Sequence, residues 1–167
     1  MPDNMTCEQR SKCMAAVKGK DTKPEMIVRK YLFSKGLRYR LHQKKLIGSP
    51  DIVLKKYKTV IFIDGCFWHG HDGCKFFRLP KSNIEFWDTK IKNNKNRDVI
   101  NEERLKEAGW KVIRIWECEI RRIQDRNQNL ERLYKEITGN STLYEENEDY
   151  QKMVAEPSSE YNNPINL

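Results

Sequence analysis

The segment from residue 66 to residue 83 places the strongest limit on how this chain can fold. It contains two glycines, Pro80 and Asn83, and it follows neither the period of a strand nor that of a helix. Irregular loops of this length are uncommon in compact domains and are usually functional, or are fixed by something other than a hydrophobic core. Its first nine residues, CFWHGHDGC, hold two of the three histidines and two of the five cysteines. This composition indicates a metal site.

Zinc is the metal that the cysteines and histidines favour. Three sulfur donors and one nitrogen donor form a usual closed structural zinc shell. The expected ligands are Cys66, His71, Cys74 and Cys118. Metal ligation can contribute on the order of 10 kcal/mol to ordering a small site, which would make the loop rigid. Ordinary buried thiols without a metal are the alternative interpretation.

One histidine of the loop is left over by this assignment. His69 is not needed for the zinc shell, and Gly70 between His69 and His71 allows the two side chains to point in different directions. Cys7 and Cys13 lie close to the N-terminus and are not included in the site. The loop therefore has one imidazole available for chemistry.

Length and composition indicate a single domain with a small core. The 167 residues suit one domain, and 38% of them are hydrophobic while 34% are charged. An odd number of cysteines argues against a disulfide framework. The longest apolar run falls far short of the roughly 20 residues of a membrane span, and the polar start lacks a secretory signal. We expect a cytoplasmic protein with no membrane segment.

Charge is distributed unevenly along the chain. Residues 138–167 carry a net charge of −5, so the rest of the chain carries +13. A basic body is typical of a polyanion binder, although a merely well-solvated surface has the same composition. We expect a basic N-terminal arm over residues 1–20, either a short helix or a frayed leader, a folded domain over 21–138, and a flexible acidic tail over 139–167.

A helix, a strand and a hairpin are predicted before the loop. Thr22 and Glu25 have the spacing of a capping box, which predicts a helix that a glycine ends at residue 36. Residues 37–42 alternate between apolar and polar, as in a half-buried strand. The β-branched runs at 51–54 and 59–64 predict an antiparallel hairpin with buried inner faces.

After the loop, the pattern predicts a helix, a strand and a second helix. Residues 84–108 have an amphipathic helical face, 111–118 form a strand, and a helix follows near 126–137. The apolar face of the long helix comprises Phe86, Trp87, Ile91, Ile100 and Leu105. The order of elements predicts an α/β fold, a mixed sheet with helices packed on it.

Three carboxylates are candidates for chemistry. Asp51 begins the first hairpin strand and Asp64 ends the second, so the hairpin brings both to the same end, where hard oxygen donors suit magnesium. An aspartate after a proline is also a common turn cap, and this structural role is the alternative for Asp51. Glu25 is explained by the capping box alone, unless the helix start faces Asp51.

Two aromatic pairs lie among basic residues. Phe67 and Trp68 precede His69, and Phe86 and Trp87 begin the long helix. Aromatic side chains in such surroundings can stack on bases or wedge between base pairs. Packing over the loop is the alternative, and the helical spacing of Phe86 predicts its burial.

Several motifs, in this order, resemble one family. They are GKDTKPE, LRYRLH, GSPDIVL, IFIDGCFWHGH, FW..KI..N..RD and AGWKVIRIWEC. Together they cover about residues 8–122 and resemble the very-short-patch-repair (Vsr) DNA mismatch endonucleases. The resemblance implies a restriction-endonuclease-like α/β fold of the PD-(D/E)xK type, with a mixed central sheet flanked by helices and a structural Zn²⁺ site. It also implies Mg²⁺-dependent nicking of one strand, 5′ of the thymine in a T:G mismatch that arises when 5-methylcytosine deaminates.

The resemblance also assigns residues. It implies that Asp51 and the carbonyl of Ile63 bind Mg²⁺, that His69 is the catalytic histidine, and that Glu25 lies at the rim of the site. Cys66, His71, Cys74 and Cys118 match the zinc ligands. Phe67, Trp68 and Trp87 match the DNA wedge. The implied partner is double-stranded DNA that contains a T:G mismatch, with mismatch-repair proteins as further partners. The resemblance also implies a monomer that associates with the nucleoid.

This chain departs from the family pattern in two places. Asp64 stands where many members have histidine, which would add an anionic metal ligand to the catalytic set and remove a proton carrier. The spacing from His71 to Cys74 is one residue longer than in many members. Cys66 occupies the place of the lysine in the PD-(D/E)xK pattern, so His69 is the candidate general base. A nuclease of a restriction or defence system that cuts other DNA, and a zinc-stabilised DNA-binding module without catalysis, remain alternatives.

Overall fold

The computed structural model describes residues 18–139 and six residues before them, Thr6, Glu8, Gln9, Lys12, Ala15 and Ala16. Most of the predicted arm over 1–20, and the predicted acidic tail beyond Gly139, lie outside the described residues. Within the described part, no helix is both long enough and apolar enough to cross a membrane.

The chain forms a four-stranded mixed sheet with helices before, between and after its strands. The helices are α1 (Lys23–Ser34), α2 (Ile84–Glu107), α3 (Glu117–Arg121) and α4 (Ile123–Thr138). The strands are β1 (Arg40–Leu41), β2 (Ile52–Leu54), β3 (Thr59–Asp64) and β4 (Lys111–Trp116), in the order β1-β2-β3-β4. A short 3-10 helix, Lys55–Tyr57, joins β2 to β3. The predicted mixed α/β architecture is confirmed.

The register of the strands collects the candidate residues at one end of the sheet. β2 pairs antiparallel with β3, with Ile52 opposite Ile61, so Asp51 just before β2 lies beside the end of β3. β3 pairs parallel with β4, with Asp64 opposite Trp116. The end of β3, the start of the loop and the end of β4 therefore meet at the same edge. The predicted antiparallel hairpin is confirmed.

The sheet is covered on both faces by apolar residues. One cluster packs helices α1, α3 and α4 against Ile52, Leu54, Ile61, Ile113 and Ile115. A smaller cluster on the other face joins Val53 and Val60 to Leu105 of α2. The sequence predicts buried inner faces for the hairpin. All three residues of β2 are buried, so burial extends to both faces of this strand. Two covered faces hold the end of β3 rigidly between layers.

Several predicted boundaries are wrong, each for a tertiary reason. Strand 37–42 is reduced to Arg40–Leu41 because it pairs only with the three-residue β2, and His42 has a positive φ of 43°. β4 ends at Trp116, so Cys118 lies in α3 rather than in a strand. The last helix begins at Ile123. Phe86 is 57% exposed rather than buried, because the first turn of α2 extends beyond the apolar clusters.

The predicted start of α1 is confirmed. The Thr22 side chain accepts from the backbone N–H of Glu25, and the Glu25 side chain accepts from the N–H of Thr22. This capping box satisfies two of the unpaired donors at the helix start. Glu25 is only 2% exposed, so the cap also buries a carboxylate at the edge of the sheet that carries Asp51.

Candidate active site and metal centre

Asp51 is held at the start of β2 by a backbone contact across the hairpin. Its Oδ2 atom accepts a hydrogen bond of 2.8 Å from the N–H of Ile63. Burial raises the pKa of the Asp51 carboxyl, and the Ile63 N–H opposes this rise. The carboxylate of Glu25 raises the same pKa further, whereas His42 and His69 lower it. Asp51 is thus a partly buried acid with two histidines nearby, which is more than a turn cap requires.

Glu25 reaches the site through His42. The Nε2 atom of His42 lies 3.1 Å from Glu25 Oε1, and its Nδ1 atom lies 4.0 Å from Asp51 Oδ1. The short contact does not have hydrogen-bond geometry, since His42 Nε2 is buried without a hydrogen-bond partner. Glu25 is also paired with Arg29, at 3.3 Å. The start of α1 therefore faces Asp51, as the catalytic interpretation of Glu25 requires.

His69 lies between two carboxylates. Its Nδ1 atom is 2.5 Å from Asp98 Oδ2 on α2, and its Nε2 atom is 3.6 Å from Asp64 Oδ1 at the end of β3. In the neutral tautomer with hydrogen on Nδ1, the Nδ1–H would donate a hydrogen bond to Asp98 and Nε2 would be the acceptor. An imidazole oriented in this way by a carboxylate can take a proton from a water.

Asp64 is the most buried acid beside this histidine. It is 4% exposed, and its Oδ2 atom contacts the guanidinium of Arg114 on β4. Because a buried carboxylate is costly without a partner, the arginine stabilises its charged form.

A cavity of about 870 Å³ joins these groups. It is lined by Glu25, Asp51, Ile63, Asp64 and His69, together with Trp68 of the loop and Lys18 and Lys23 near the start of α1. A smaller cavity of about 410 Å³ lies on the other side of Asp64 and His69, lined by Arg97, Asp98, Asn101 and Arg114. Asp64 lines both cavities, and Asp98 lines the smaller one. The two carboxylates that flank His69 thus lie at the boundary of an open acidic cleft.

The predicted zinc ligands form one cluster. The donor atoms of Cys66, His71, Cys74 and Cys118 all lie within 4.8 Å of one another. The ring of His71 stacks on Trp116 at 3.9 Å between centroids, with 7° between the planes. Its Nδ1 atom lies 3.5 Å from Cys118 Sγ. Three sulfurs and one oriented imidazole nitrogen at these distances fit a tetrahedral zinc ion.

The thiols of the cluster differ in how easily they ionise. Burial raises the pKa of the Cys66 thiol to about 12. Burial also raises the pKa of Cys118. For Cys74 burial is outweighed by hydrogen bonds, beginning with the N–H of Phe76, and its pKa is lowered. A coordinated cation deprotonates thiols outright, so the cluster needs a cation to hold three thiolates together.

The aromatic residues form a connected group beside the cavity. Phe67 meets Trp68 and Trp87 edge to face, at 5.2 and 5.3 Å between ring centroids. Phe86 continues the group, at 5.3 Å from Trp87. The side-chain amide of Asn94 on α2 donates to the carbonyl of Trp68 at 2.9 Å, which fixes the loop to the helix. The four rings present a rigid, partly exposed apolar surface next to His69.

Comparison with known proteins decides the family. The model of the protein family described as "DNA mismatch endonuclease Vsr" matches residues 2–75 of this chain. The chain is 50% identical over 137 residues to "Type II nicking enzyme V.NmeAIP" of Neisseria meningitidis serogroup A, covering 82% of this chain and 97% of that protein. It is 46% identical over 120 residues to "Type II nicking enzyme V.XorIIP" of Xanthomonas oryzae, covering 72% and 88%. It is 43% identical over 112 residues to "DNA mismatch endonuclease Vsr" of Escherichia coli K12, covering 67% and 71%. The chain belongs to the Vsr family. It is a DNA endonuclease.

In this Vsr-family chain, the sequence-predicted residues fall into neighbouring groups. Asp51, Ile63, Asp64, His69 and Glu25 line the larger cavity. The four proposed zinc ligands cluster on the other flank of the loop. Phe67, Trp68 and Trp87 contact one another. Their chemical roles are proposals, taken up below.

Three residues of the Vsr-family site were missed from the sequence. Asp98 lies 29 positions after His69, and Arg114 lies 50 positions after Asp64, so their contacts depend on the packing of α2 and β4. Asp98 is the last residue of the motif FW..KI..N..RD, but the motif alone predicts no role for it. The alternating pattern of residues 37–42 predicts only that His42 ends a strand. Its positive φ is uncommon outside glycine, but only the structure reveals it.

Proposed function

We propose that the chain nicks one strand of duplex DNA at T:G mismatches, 5′ of the thymine, and leaves a 5′-phosphate. Such a nick would begin the repair of deaminated 5-methylcytosine. The proposal rests on one observation above the others. An imidazole that contacts Asp98 stands beside Asp64 in the same cavity as the partly buried carboxylate of Asp51.

Asp51 and the carbonyl of Ile63 are the proposed ligands of Mg²⁺. A carboxylate whose pKa burial has raised fits this role, because a bound cation would stabilise the charged form that burial disfavours. When bound, Mg²⁺ would neutralise charge on the scissile phosphate and lower the pKa of an attacking water. Glu25 adds a second negative charge at the rim, which favours a cation at Asp51.

His69 is the proposed general base. With Nδ1 donating to Asp98, its Nε2 atom accepts the proton of the attacking water. The imidazolium that forms lies between the carboxylates of Asp98 and Asp64, which stabilise its positive charge. Proton transfer by a positioned side chain contributes about 10²–10⁴-fold to a rate.

The cluster of Cys66, His71, Cys74 and Cys118 is the proposed structural Zn²⁺ site of a restriction-endonuclease-like fold. It would fix the loop on the side away from Asp51, while Asn94 fixes it to α2. Both attachments hold His69 at the cavity. The metal would therefore act on the architecture of the loop and not on the reaction.

Phe67, Trp68 and Trp87 are the proposed DNA wedge. Edge-to-face contacts make the three rings a rigid surface, and partial exposure leaves it available to bases. Insertion is least costly at a mismatch, where the base pair is already weakened. The wedge would thus let the protein detect deformability as well as base edges.

A second candidate is supported by the names of relatives. Two of the relatives described above are named type II nicking enzymes. In addition, Asp64 stands where histidine is expected in many members of the family. The alternative is a nicking enzyme of a restriction or defence system that acts on other DNA. The non-catalytic DNA-binding module is set aside, because the chain belongs to a family of DNA endonucleases.

A strand-resolved nicking assay separates these candidates. Duplexes that differ only in one T:G, T:A or C:G pair are labelled on each strand and incubated with Mg²⁺. We expect a single nick in the thymine strand of the T:G duplex alone. Asp51→Asn should abolish nicking and retain DNA binding. Asp125→Asn, which changes an exposed aspartate paired with Arg122, should leave both nicking and binding unchanged. Equal cutting of T:A and T:G duplexes would reject mismatch specificity.

The domain arrangement and the assembly state are also proposals. We propose that residues 21–138 act as the nuclease domain, flanked by the basic arm 1–20 and the acidic tail 139–167, and that the enzyme is a monomer. Mismatch-repair proteins are the proposed further partners. Sedimentation of the full chain with one T:G duplex should give a one-to-one complex, and a two-to-one complex would contradict the monomer.

A further inference from the structure

Arg114 lies at the centre of a cluster of carboxylates, and the proposed chemistry gives this arginine no role. On β4 it is opposite Phe62 of β3, and Asp64 lies two residues after Phe62 on that strand. The Arg114 side chain extends along the sheet toward Asp64. Its Nη1 atom contacts Asp64 Oδ2 and lies 3.9 Å from Asp98 Oδ2, and its Nη2 atom lies 3.7 Å from Glu102 Oε2. One guanidinium thus faces three carboxylates.

Both oxygens of Asp64 already face partners within the protein. Oδ2 contacts Arg114, and Oδ1 lies 3.6 Å from His69 Nε2. The side chain is 5% exposed. A cation that bound Asp64 would have to share Oδ2 with the Arg114 guanidinium or lie beside Oδ1 next to His69 Nε2.

We propose that Arg114 is a positioning residue of the nuclease site, which fixes Asp64 so that Asp64 and Asp98 hold the His69 imidazole from two sides. Asp64 then belongs to a fixed ion-pair network and does not bind the catalytic cation. The part of this inference that concerns rates rests on the proposed nuclease function, while the ion-pair network stands on the contacts alone.

Charge supports the role of Arg114. Asp98 and Glu102 also contact Arg97 at 3.4 Å and Lys106 at 2.7 Å, respectively, whereas Arg114 is the one arginine or lysine that pairs with Asp64 among the described residues. Without Arg114, the buried Asp64 would lose that partner and would repel the neighbouring carboxylate of Asp98. Burial lowers the pKa of the Arg114 guanidinium, but an arginine remains charged because its ordinary pKa is far above neutrality. The arginine therefore provides a permanent internal cation at the place where several acids meet.

Unfolding of the Mg²⁺-free protein tests the ion-pair network directly. Arg114→Gln leaves Asp64 buried and unpaired, and we expect its Tm to fall by about 6–20 °C. Arg114→Gln combined with Asp64→Asn removes both charges and should recover about half or more of that loss, since coupled residues are not additive. Additive losses would overturn the network. Arg132→Gln, which removes an exposed arginine–carboxylate pair with Glu119, is the matched control and should change Tm by less than about 2 °C.

Single-turnover nicking tests the positioning role. Arg114→Gln should nick about 10–100-fold more slowly, with the Kd for T:G DNA unchanged within about threefold, because supporting residues act on orientation. Arg114→Lys restores the charge and should recover part of the rate. A folded Arg114→Gln protein with the wild-type rate would refute the positioning role.

The dependence of the rate on Mg²⁺ tests whether Asp64 is a ligand. Asp64→Asn should require the same Mg²⁺ concentration for half-maximal nicking as the wild type, within about threefold, whereas the loss of a direct carboxylate ligand should raise that concentration. A rise of about tenfold or more would make Asp64 a ligand and overturn the proposal. If the wild type does not nick at all, the proposed function fails, and the unfolding cycle still decides the network.

Discussion

Gly70 separates the histidine assigned to chemistry from the histidine assigned to zinc, and Gly70→Ala should destabilise the protein by an amount the structure allows us to work out. The residue has a φ of 59° and is buried in the loop. A Cβ atom there would lie 2.7 Å from Cγ2 of Ile91 and 3.0 Å from Cδ of Lys95. The lysine chain can move away. Ile91 is 4% exposed on α2 and has no space to yield.

Two costs add in this variant. Left-handed backbone costs a non-glycine residue about 1–2 kcal/mol, and forcing an extra methyl into a packed core costs about 1–3 kcal/mol. Their sum is about 2–5 kcal/mol. For a chain of this size, about 1 kcal/mol corresponds to about 2–4 °C in Tm, so we expect a fall of about 10 °C.

Gly73→Ala and Gly109→Ala are matched controls for this prediction. Both glycines have a positive φ, 69° and 77°, but a Cβ at either would meet no heavy atom within 4 Å. They should therefore show only the backbone cost, a fall of about 4 °C. Scanning calorimetry of the three zinc-loaded variants isolates the contact with Ile91. If Gly70→Ala lost no more than Gly109→Ala, the packing of the loop on α2 would be refuted.

Three further perturbations test other parts of the site. Wild-type protein should contain about one zinc per chain, and Cys118→Ser should give zinc-poor, unfolded or insoluble protein; stable zinc-free wild-type protein, by elemental analysis, would contradict the cluster as a zinc site. Burial raises the pKa of Asp51, so its charge destabilises the fold above the folded pKa, and this penalty vanishes as the pH falls below the unfolded value of about 4. In Mg²⁺-free buffer Asp51→Asn should therefore raise Tm at neutral pH but not near pH 3, and a lower Tm at neutral pH would show that the pKa shift has the other sign. Trp68→Ala should weaken binding to T:G DNA about tenfold, as the loss of one stacked base contact predicts, whereas Phe33→Ala, an exposed ring on α1, should leave it unchanged; equal effects in a fluorescence titration would reject the wedge.

What the sequence predicted well depends on neighbours along the chain. The capping box of Thr22 and Glu25 and the β2–β3 hairpin are local signals, and the structure has both. The proposed ligands Cys66, His71 and Cys74 are brought together by a short loop, and Cys118 follows from the need to complete a tetrahedral shell. Local spacing and donor chemistry were sufficient in each case.

What the sequence did not predict depends on packing between distant elements. The contact of Asp98 with His69 requires α2 to cross beside the loop, and that of Arg114 with Asp64 requires β3 and β4 to be parallel neighbours. No period or spacing encodes either. The exposure of Phe86 has the same origin, since an amphipathic pattern shows which face is apolar but not how far along the helix its cover extends.

The central claim is that the loop keeps its two histidines for separate tasks, with His71 for the metal cluster and His69 for proton transfer. It is tested most directly by measuring the zinc content and the single-turnover nicking rate on one preparation of His69→Gln. We expect about one zinc per chain, as in the wild type, together with a nicking rate lowered about 10²–10⁴-fold. Loss of zinc from His69→Gln, or a nicking rate equal to that of the wild type, would contradict the account.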